Sequence, residues 1–302
     1  MAEIIFFGTH DFGAAMLEAL LNAGHKISLV VTQPDRPIGR KQEIATSPVK
    51  KLAILKNLKY IQPESLKDFE FNYSSDLIVV CQYGLIIPLR ILITPKFGAL
   101  NVHTSLLPKY RGASPVQSAI INGETETGVT IMLMDEKMDH GPILSQNKIA
   151  INPDETYPEL RSKMAPIAAD LLTKTVKKWL KNEIRPITQN ESSATFCKIY
   201  TRDDGRISWS DSASTIYNLF RGLNPWPGIW TTWNNQRLKL LKIKPTSENI
   251  PPGIVSIIKD RLLVGTGIGS VEILDIQLEG KNQMTAKAFI TGYSQINGSK
   301  LS

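Results

Sequence analysis

Cysteine is nearly absent from this chain. Cys81 and Cys197 stand far apart in 302 residues and form no CxxC pair. That excludes a disulfide framework and a cysteine-built zinc site, and it fits a reducing compartment. Long apolar runs are missing too: no stretch reaches the roughly 18 residues of a membrane span. Before the short apolar run of residues 4–7 there is no basic segment, so no secretory signal is expected. A cytoplasmic protein with no membrane partner follows by exclusion. There is no Gly-Lys-Ser/Thr loop, and the glycines of Gly8-Thr-His-Asp-Phe-Gly13 are five apart, unlike GxGxxG. ATP and nicotinamide readings are therefore poorly supported. Nothing calls for a metal, and no internal repeat is evident.

What is present reads as two folded domains. The chain is 42% hydrophobic and 21% charged, an ordinary globular balance at a length that suits two domains. Glu3–Gly8 and Lys26–Thr32 read as strands. Asp76–Cys81, Ala99–His103 and Thr130–Met134 are short apolar runs of the kind found in parallel strands buried on both faces. Asp11–Ala23 has apolar residues at helical spacing, and Pro115–Ile121 reads as a helix. Thr156-Tyr-Pro-Glu159 fits a capping box that opens a helix running to about Leu180. This pattern predicts an α/β fold, Rossmann-like, with a mostly parallel sheet and flanking helices. From Ile229 onward, short strands alternate with turns, as in a smaller C-terminal β-barrel of OB-like type. The expected domains are 1–188 (catalytic), 189–206 (a polar linker) and 207–302 (the barrel). Trp226 and Trp230 read as core residues.

Charge is uneven. Over residues 1–150 there are 15 Lys and Arg against 14 Asp and Glu, but over residues 207–302 there are 10 against 6. A polyanionic partner suits that C-terminal excess, as does a merely basic surface. Gln33–Ser47 holds two prolines and a glycine in its first half, so a long surface loop is expected there. It carries Arg36, Arg40 and Lys41.

Asn101-Val-His103 closes an apolar strand. Ligands bind at the carboxyl edge of open α/β sheets. Side chains at i and i+2 share a strand face, so Asn101 and His103 can face one pocket. Asp139 precedes His140-Gly141 after the next apolar run and should reach the same rim. Each could equally be a turn, cap or surface residue, and His140 reads as solvent-exposed.

Asn101-Val-His103, Ser105-Leu-Leu-Pro108, Arg111-Gly112, Pro115, Gly123, Thr127-Gly-Val-Thr130 and Asp139-x-Gly141 together resemble the folate-dependent formyltransferase family. The opening Phe7-Gly-Thr-x-Asp-Phe12, the segment Gln33-Pro-Asp-Arg-Pro-x-Gly-Arg40 with Ser47-Pro-Val-Lys50, and Asn224-Pro-Trp-Pro227 resemble its branch that acts on charged initiator tRNA. The resemblance covers nearly the whole chain. It implies 10-formyltetrahydrofolate as donor and the methionine α-amine of initiator methionyl-tRNA as acceptor, in support of translation initiation. It also implies direct amine attack through a tetrahedral oxyanion, with Asn101, His103 and Asp139 as catalytic residues. Ser105, Leu106, Leu107 and Pro108 would hold the folate, with Gln82, Tyr83 and Gly84 as a pocket wall. Arg36, Arg40 and Lys41, together with Arg237, Lys239, Lys242 and Lys244, would contact tRNA. A monomer without a metal is expected. A formyltransferase acting on an amino-sugar nucleotide and a non-catalytic RNA-binding protein remain alternatives.

Overall fold

The computed structural model describes residues 1–38 and 43–302. Arg40 and Lys41 lie outside the described residues. Two compact units emerge. One comprises Met1–Pro115, Glu126–Ala150 and Arg161–Cys197, the other Val116–Thr125, Ile151–Leu160 and Lys198–Ser302.

The elements run β1 (Glu3–Gly8), α1 (Asp11–Asn22), β2 (Lys26–Val31), β3 (Arg36–Ile38), β4 (Glu43–Ala45), α2 (Pro48–Leu55), β5 (Tyr60–Ile61), β6 (Leu77–Cys81), α3 (Leu89–Leu92), β7 (Ala99–His103), β8 (Arg111–Gly112), α4 (Pro115–Ile121), β9 (Glu126–Leu133), β10 (Ile143–Ala150), α5 (Tyr157–Trp179) and β11 (Phe196–Cys197). A seven-stranded sheet has the order β10-β9-β7-β6-β1-β2-β5. The pairs β1–β2, β1–β6, β6–β7 and β2–β5 are parallel. The strand order reverses at β1, which opens the crevice typical of doubly wound sheets at the carboxyl ends. All five residues of β6 are buried, as a central parallel strand requires. Burying one such Val, Ile or Leu contributes about 1.5–3 kcal/mol relative to exposure.

The structure departs from the sequence pattern in two places here. The run Thr130–Met134 was expected as a parallel strand, but β9 pairs antiparallel with β7 and again with β10. An apolar run reports burial on both faces and carries no direction. The expected Gln33–Ser47 loop contains a short antiparallel hairpin, with Arg36 opposite Ala45 and Ile38 opposite Glu43. Its base is held by Asp35, which takes hydrogen bonds from Lys50 Nζ at 2.5 Å and Gln62 Nε2 at 3.0 Å. The Lys50 ammonium holds the Asp35 carboxyl below its ordinary range. At the start of α5, Glu159 accepts from the Thr156 amide at 2.8 Å, the carboxylate half of a capping box.

The second unit contains α6 (Ala213–Leu223), β12 (Ile229–Trp233), β13 (Gln236–Thr246), β14 (Val255–Ile258), β15 (Arg261–Gly265), β16 (Ser270–Leu278), β17 (Met284–Thr285) and α7 (Ala286–Gly292). The main strand order is β12-β13-β16-β15-β14, with β17 on β16. The chain's last residues join the two edges. Thr232 and Ser302 exchange backbone hydrogen bonds on the β12 side, and the Val255 amide donates to the Ser299 carbonyl on the β14 side. Leu238, Leu240, Ile243, Leu262, Ile276 and Phe289 fill the interior. Trp230 is buried as expected, whereas Trp226 is 60% exposed. Among the described residues no helix is long and apolar enough to cross a membrane.

Candidate active site

Asn101 and His103 lie on the last turns of β7's pleat, at its carboxyl end. Asp139 follows β9 in a left-handed conformation, with φ of 49°. An aspartate tolerates that region better than most residues. The structure brings the three side chains together. Asn101 Nδ2 donates to Asp139 Oδ1 at 3.1 Å, and His103 Nδ1 stands 3.5 Å from the same oxygen. The other carboxylate oxygen, Oδ2, accepts from the Gly112 amide at 2.9 Å.

Two glycines make this approach possible. Gly112 has φ of 117°, and a Cβ there would stand 2.4 Å from the Cys197 carbonyl oxygen. A Cβ on Gly141 would stand 1.9 Å from the Leu133 carbonyl oxygen. No side chain larger than hydrogen fits at that distance, so Asp139-x-Gly141 is a packing requirement as much as a motif.

His103 is almost wholly buried, and its Nε2 is 2.9 Å from the Tyr110 carbonyl oxygen. A carbonyl only accepts, so Nε2 carries the hydrogen, and Nδ1 is the ring atom turned towards Asp139. His140 is engaged elsewhere, with Nδ1 2.6 Å from Asp135 Oδ2.

The segment Ser105–Pro108 is shaped by a buried hydroxyl. Thr130 Oγ1 donates to the Ser105 carbonyl at 2.6 Å and accepts from the Leu107 amide at 3.2 Å. Gln146 Nε2 donates to the Leu107 carbonyl and to Thr130 Oγ1, each at 2.9 Å. Ser105 is buried and spends its hydroxyl on the Lys109 carbonyl. Leu107 is buried, while Leu106 and Pro108 are half-buried. Gln82, Tyr83 and Gly84 follow β6. Gln82 has φ of 49°, and its Oε1 accepts from Arg161 Nη2 at 3.2 Å. Arg161 also grips Asp11 beyond the end of β1, which holds the Asp11 carboxyl below its ordinary range. The Tyr83 ring packs edge-on against Phe7 in the core, and its carbonyl accepts from Thr9 Oγ1 at 2.9 Å and Gln33 Nε2 at 2.8 Å. Burial pushes its phenol up to about 12. Burial also pushes the Cys81 thiol far above its ordinary range, which leaves it unsuited to nucleophilic work.

Further residues belong to this constellation, and two of them, Gln189 and Thr195, had no part in the sequence pattern. Gln189 Nε2 donates to the carbonyls of Asp139 at 2.9 Å and Gly141 at 2.7 Å. Thr195 Oγ1 accepts from the Tyr110 amide at 2.8 Å. Arg111 is buried and is held by Gln189 and Glu191. Both Gln189 and Thr195 sit in a polar stretch whose local pattern signals only a loop.

The basic residues of β13 share one face of that strand. Arg237 and Lys239 are separated from Lys242 and Lys244 by an irregularity of register around Leu240–Ile243. Strict alternation would turn the second pair inward. The extra residue restores the phase, leaving Leu238, Leu240 and Ile243 buried while Lys239, Lys242 and Lys244 are exposed. Arg237 lies over the Trp230 ring, 4.2 Å from its centroid.

Comparison with known proteins agrees with this geometry. Residues 2–176 match the family model described as formyl transferase, and residues 199–294 match the formyl transferase C-terminal domain. The methionyl-tRNA formyltransferase of Thermodesulfovibrio yellowstonii is 44% identical over 96% of this chain and 95% of its own length. That of Caldanaerobacter subterraneus subsp. tengcongensis is 42% identical over 99% of both. The chain belongs to the methionyl-tRNA formyltransferase family. It is accordingly an enzyme of formyl transfer. Among solved structures, an N-formyltransferase from Helicobacter canadensis, in complex with folinic acid and dTDP-3-aminofucose, superimposes with a TM-score of 0.68. It is 20% identical over 90% of this chain and 99% of its own, and so attests the formyltransferase fold.

Proposed function

We propose that this enzyme moves the formyl group of 10-formyltetrahydrofolate to the α-amine of methionine on initiator methionyl-tRNA, in support of translation initiation. The observation that carries the reading is the part-buried Asn101–Asp139–His103 constellation in a chain 44% identical to a methionyl-tRNA formyltransferase over nearly its full length. The amine itself is the nucleophile, so no covalent enzyme intermediate is required. Attack on the formyl carbon puts negative charge on its oxygen. Asn101 spends one amide hydrogen on Asp139, which leaves the other to stabilise that oxyanion. Nε2 of His103 is committed to Tyr110, so proton movement runs through Nδ1 and Asp139. Asp139, steadied by the Gly112 amide, orients the imidazole and takes part in removing the proton of the attacking amine.

Ser105–Pro108, fixed by Thr130 and Gln146, and the backbone of Gln82–Gly84 form the folate side of the site. For tRNA, Arg36, Arg40 and Lys41 of the first unit supply positive charge, and so, separately, does the outward face of β13 in the second. The protein acts as a monomer, with residues 1–188 catalytic, 189–206 connecting and 207–302 contacting tRNA. The test is formylation of charged initiator tRNA with 10-formyltetrahydrofolate, set against an amino-sugar nucleotide as acceptor. Formylation of the tRNA is the expected result, and activity on the sugar alone refutes the assignment.

A further inference from the structure

The side chain of Gln189 can be placed in only one way. It is 5% exposed. Its Oε1 accepts from Arg111 Nε at 3.1 Å and Nη2 at 2.9 Å. A guanidinium only donates, so the amide oxygen must face it. Both amide hydrogens then point the other way, to the carbonyls of Asp139 and Gly141 at 2.9 and 2.7 Å. Arg111 is fixed in turn by Glu191, through Nη1 at 3.0 Å and Nη2 at 2.6 Å. The carbonyls that bracket residue 140 are thereby held by a fully satisfied buried side chain. Asp139 needs such a hold, because its φ of 49° is a conformation a non-glycine residue adopts at a cost.

We infer that Gln189 is a positioning residue for formyl transfer. Its amide locks the Asp139 backbone in the left-handed conformation that aims the carboxylate at Asn101 and His103. This inference rests on the reading of those three residues as the reacting centre. Its role differs from that of a mere partner for Arg111, because the work is done by the two N–H donors and not by the oxygen.

Two near-isosteric variants separate these roles. In Gln189→Glu, one oxygen still accepts from Arg111, but the other confronts two carbonyl oxygens. Protonation of the introduced carboxyl restores one donor. The charged and titratable groups around it are Arg111 from β8, Glu191 on its own segment, and Asp135, Lys137, Asp139 and His140 from the loop after β9. Gln189→Met removes both donors and cannot titrate.

The experiment is steady-state formylation of charged initiator tRNA by the full chain from pH 8 downward, each variant expressed as a ratio to the unaltered enzyme. At pH 8, kcat of both variants falls by about 10- to 100-fold, the size of loss expected when reacting groups are misplaced by a fraction of an ångström to about one. KM for both substrates stays within about twofold, because binding contacts are untouched. The Gln189→Glu deficit narrows as pH falls, and the Gln189→Met deficit does not. Unaltered kcat in either variant at pH 8, or the same deficit for both at every pH, overturns the inference. If Gln189→Glu does not fold, Gln189→Met alone decides: lost kcat at constant KM supports the role, and unaltered kcat refutes it. Asp139→Asn is measured alongside. Full activity there refutes the reacting-centre reading itself, whereas an inactive Asp139→Asn beside a normal Gln189→Glu refutes only the positioning role.

Discussion

His103 Nδ1 stands 3.5 Å from Asp139 Oδ1, while the opposite ring nitrogen lies 2.9 Å from the Tyr110 carbonyl oxygen. The second contact is a full hydrogen bond, and the first is longer than one. The imidazole is therefore anchored on its Tyr110 side and has slack towards the aspartate. Catalytic hydrogen bonds commonly tighten when substrate binds. Here the ring has one nitrogen with room to do so.

Loss of the Asn101 amide removes the proposed oxyanion donor. Asn101→Ala is expected to lower kcat by about 10²–10³. The melting temperature should fall little, because Asp139 keeps the Gly112 amide as a donor. Formylation kinetics together with thermal unfolding check this, and a variant that keeps full kcat assigns the oxyanion to another group.

Thr130 shapes the proposed folate side without exposing its side chain. In Thr130→Val the Leu107 amide and Gln146 Nε2 each lose an acceptor and the Ser105 carbonyl loses a donor. Buried polar groups stripped of partners cost about 1–3 kcal/mol each. Lower stability and a raised KM for the formyl donor, with KM for tRNA little changed, are expected from denaturation and initial-rate measurements.

The shared outward face of β13 makes a quantitative statement about salt. Lys239→Ala, Lys242→Ala and Lys244→Ala should each reduce the slope of log affinity for tRNA against log salt by about one, if each neutralises one phosphate. Without the register irregularity, Lys242 and Lys244 would point inward and contribute nothing. Titrations at several salt concentrations decide between a four-residue face and a two-residue one.

Asp204 accepts from Lys198 and from the Thr201 amide. These contacts hold its carboxyl at about 2, below the ordinary 3.8. A folded-state value depressed in this way stabilises the fold above the ordinary value and loses that contribution as acid is added. The window is pH 4 down to about 2. Across it, the melting temperature of Asp204→Asn should fall less steeply than that of the unaltered protein. Parallel acid dependence in both would mean that the carboxylate contributes nothing to folding.

Much of the site was readable along the chain because its parts are local. The two-residue period of a strand puts Asn101 and His103 on one face wherever the strand lies. A capping box needs only four residues, and Glu159 does reach back to Thr156. The continuous apolar run Asp76–Cys81 announces a strand buried on both faces, and β6 is one. The glycine of Asp139-x-Gly141 is visible as a motif, although its reason, the Leu133 carbonyl, is not.

What the chain determined by itself is therefore periodicity, capping and which residue types share a strand face. The tertiary structure alone decided which distant groups meet them. The direction of β9 depends on pairing with β7, which an apolar run cannot encode. The outward turn of Lys242 and Lys244 depends on two successive register shifts against β16. Gln189 reaches the Asp139 carbonyl across 50 residues of sequence and Thr195 reaches the Tyr110 amide across 85. Both lie in a polar stretch whose local pattern says only that it is not a helix or a core strand. Hydrogen bonds across such separations follow from how the whole chain packs. No short-range propensity distinguishes a glutamine that merely lies in a loop from one that holds the Asp139 backbone.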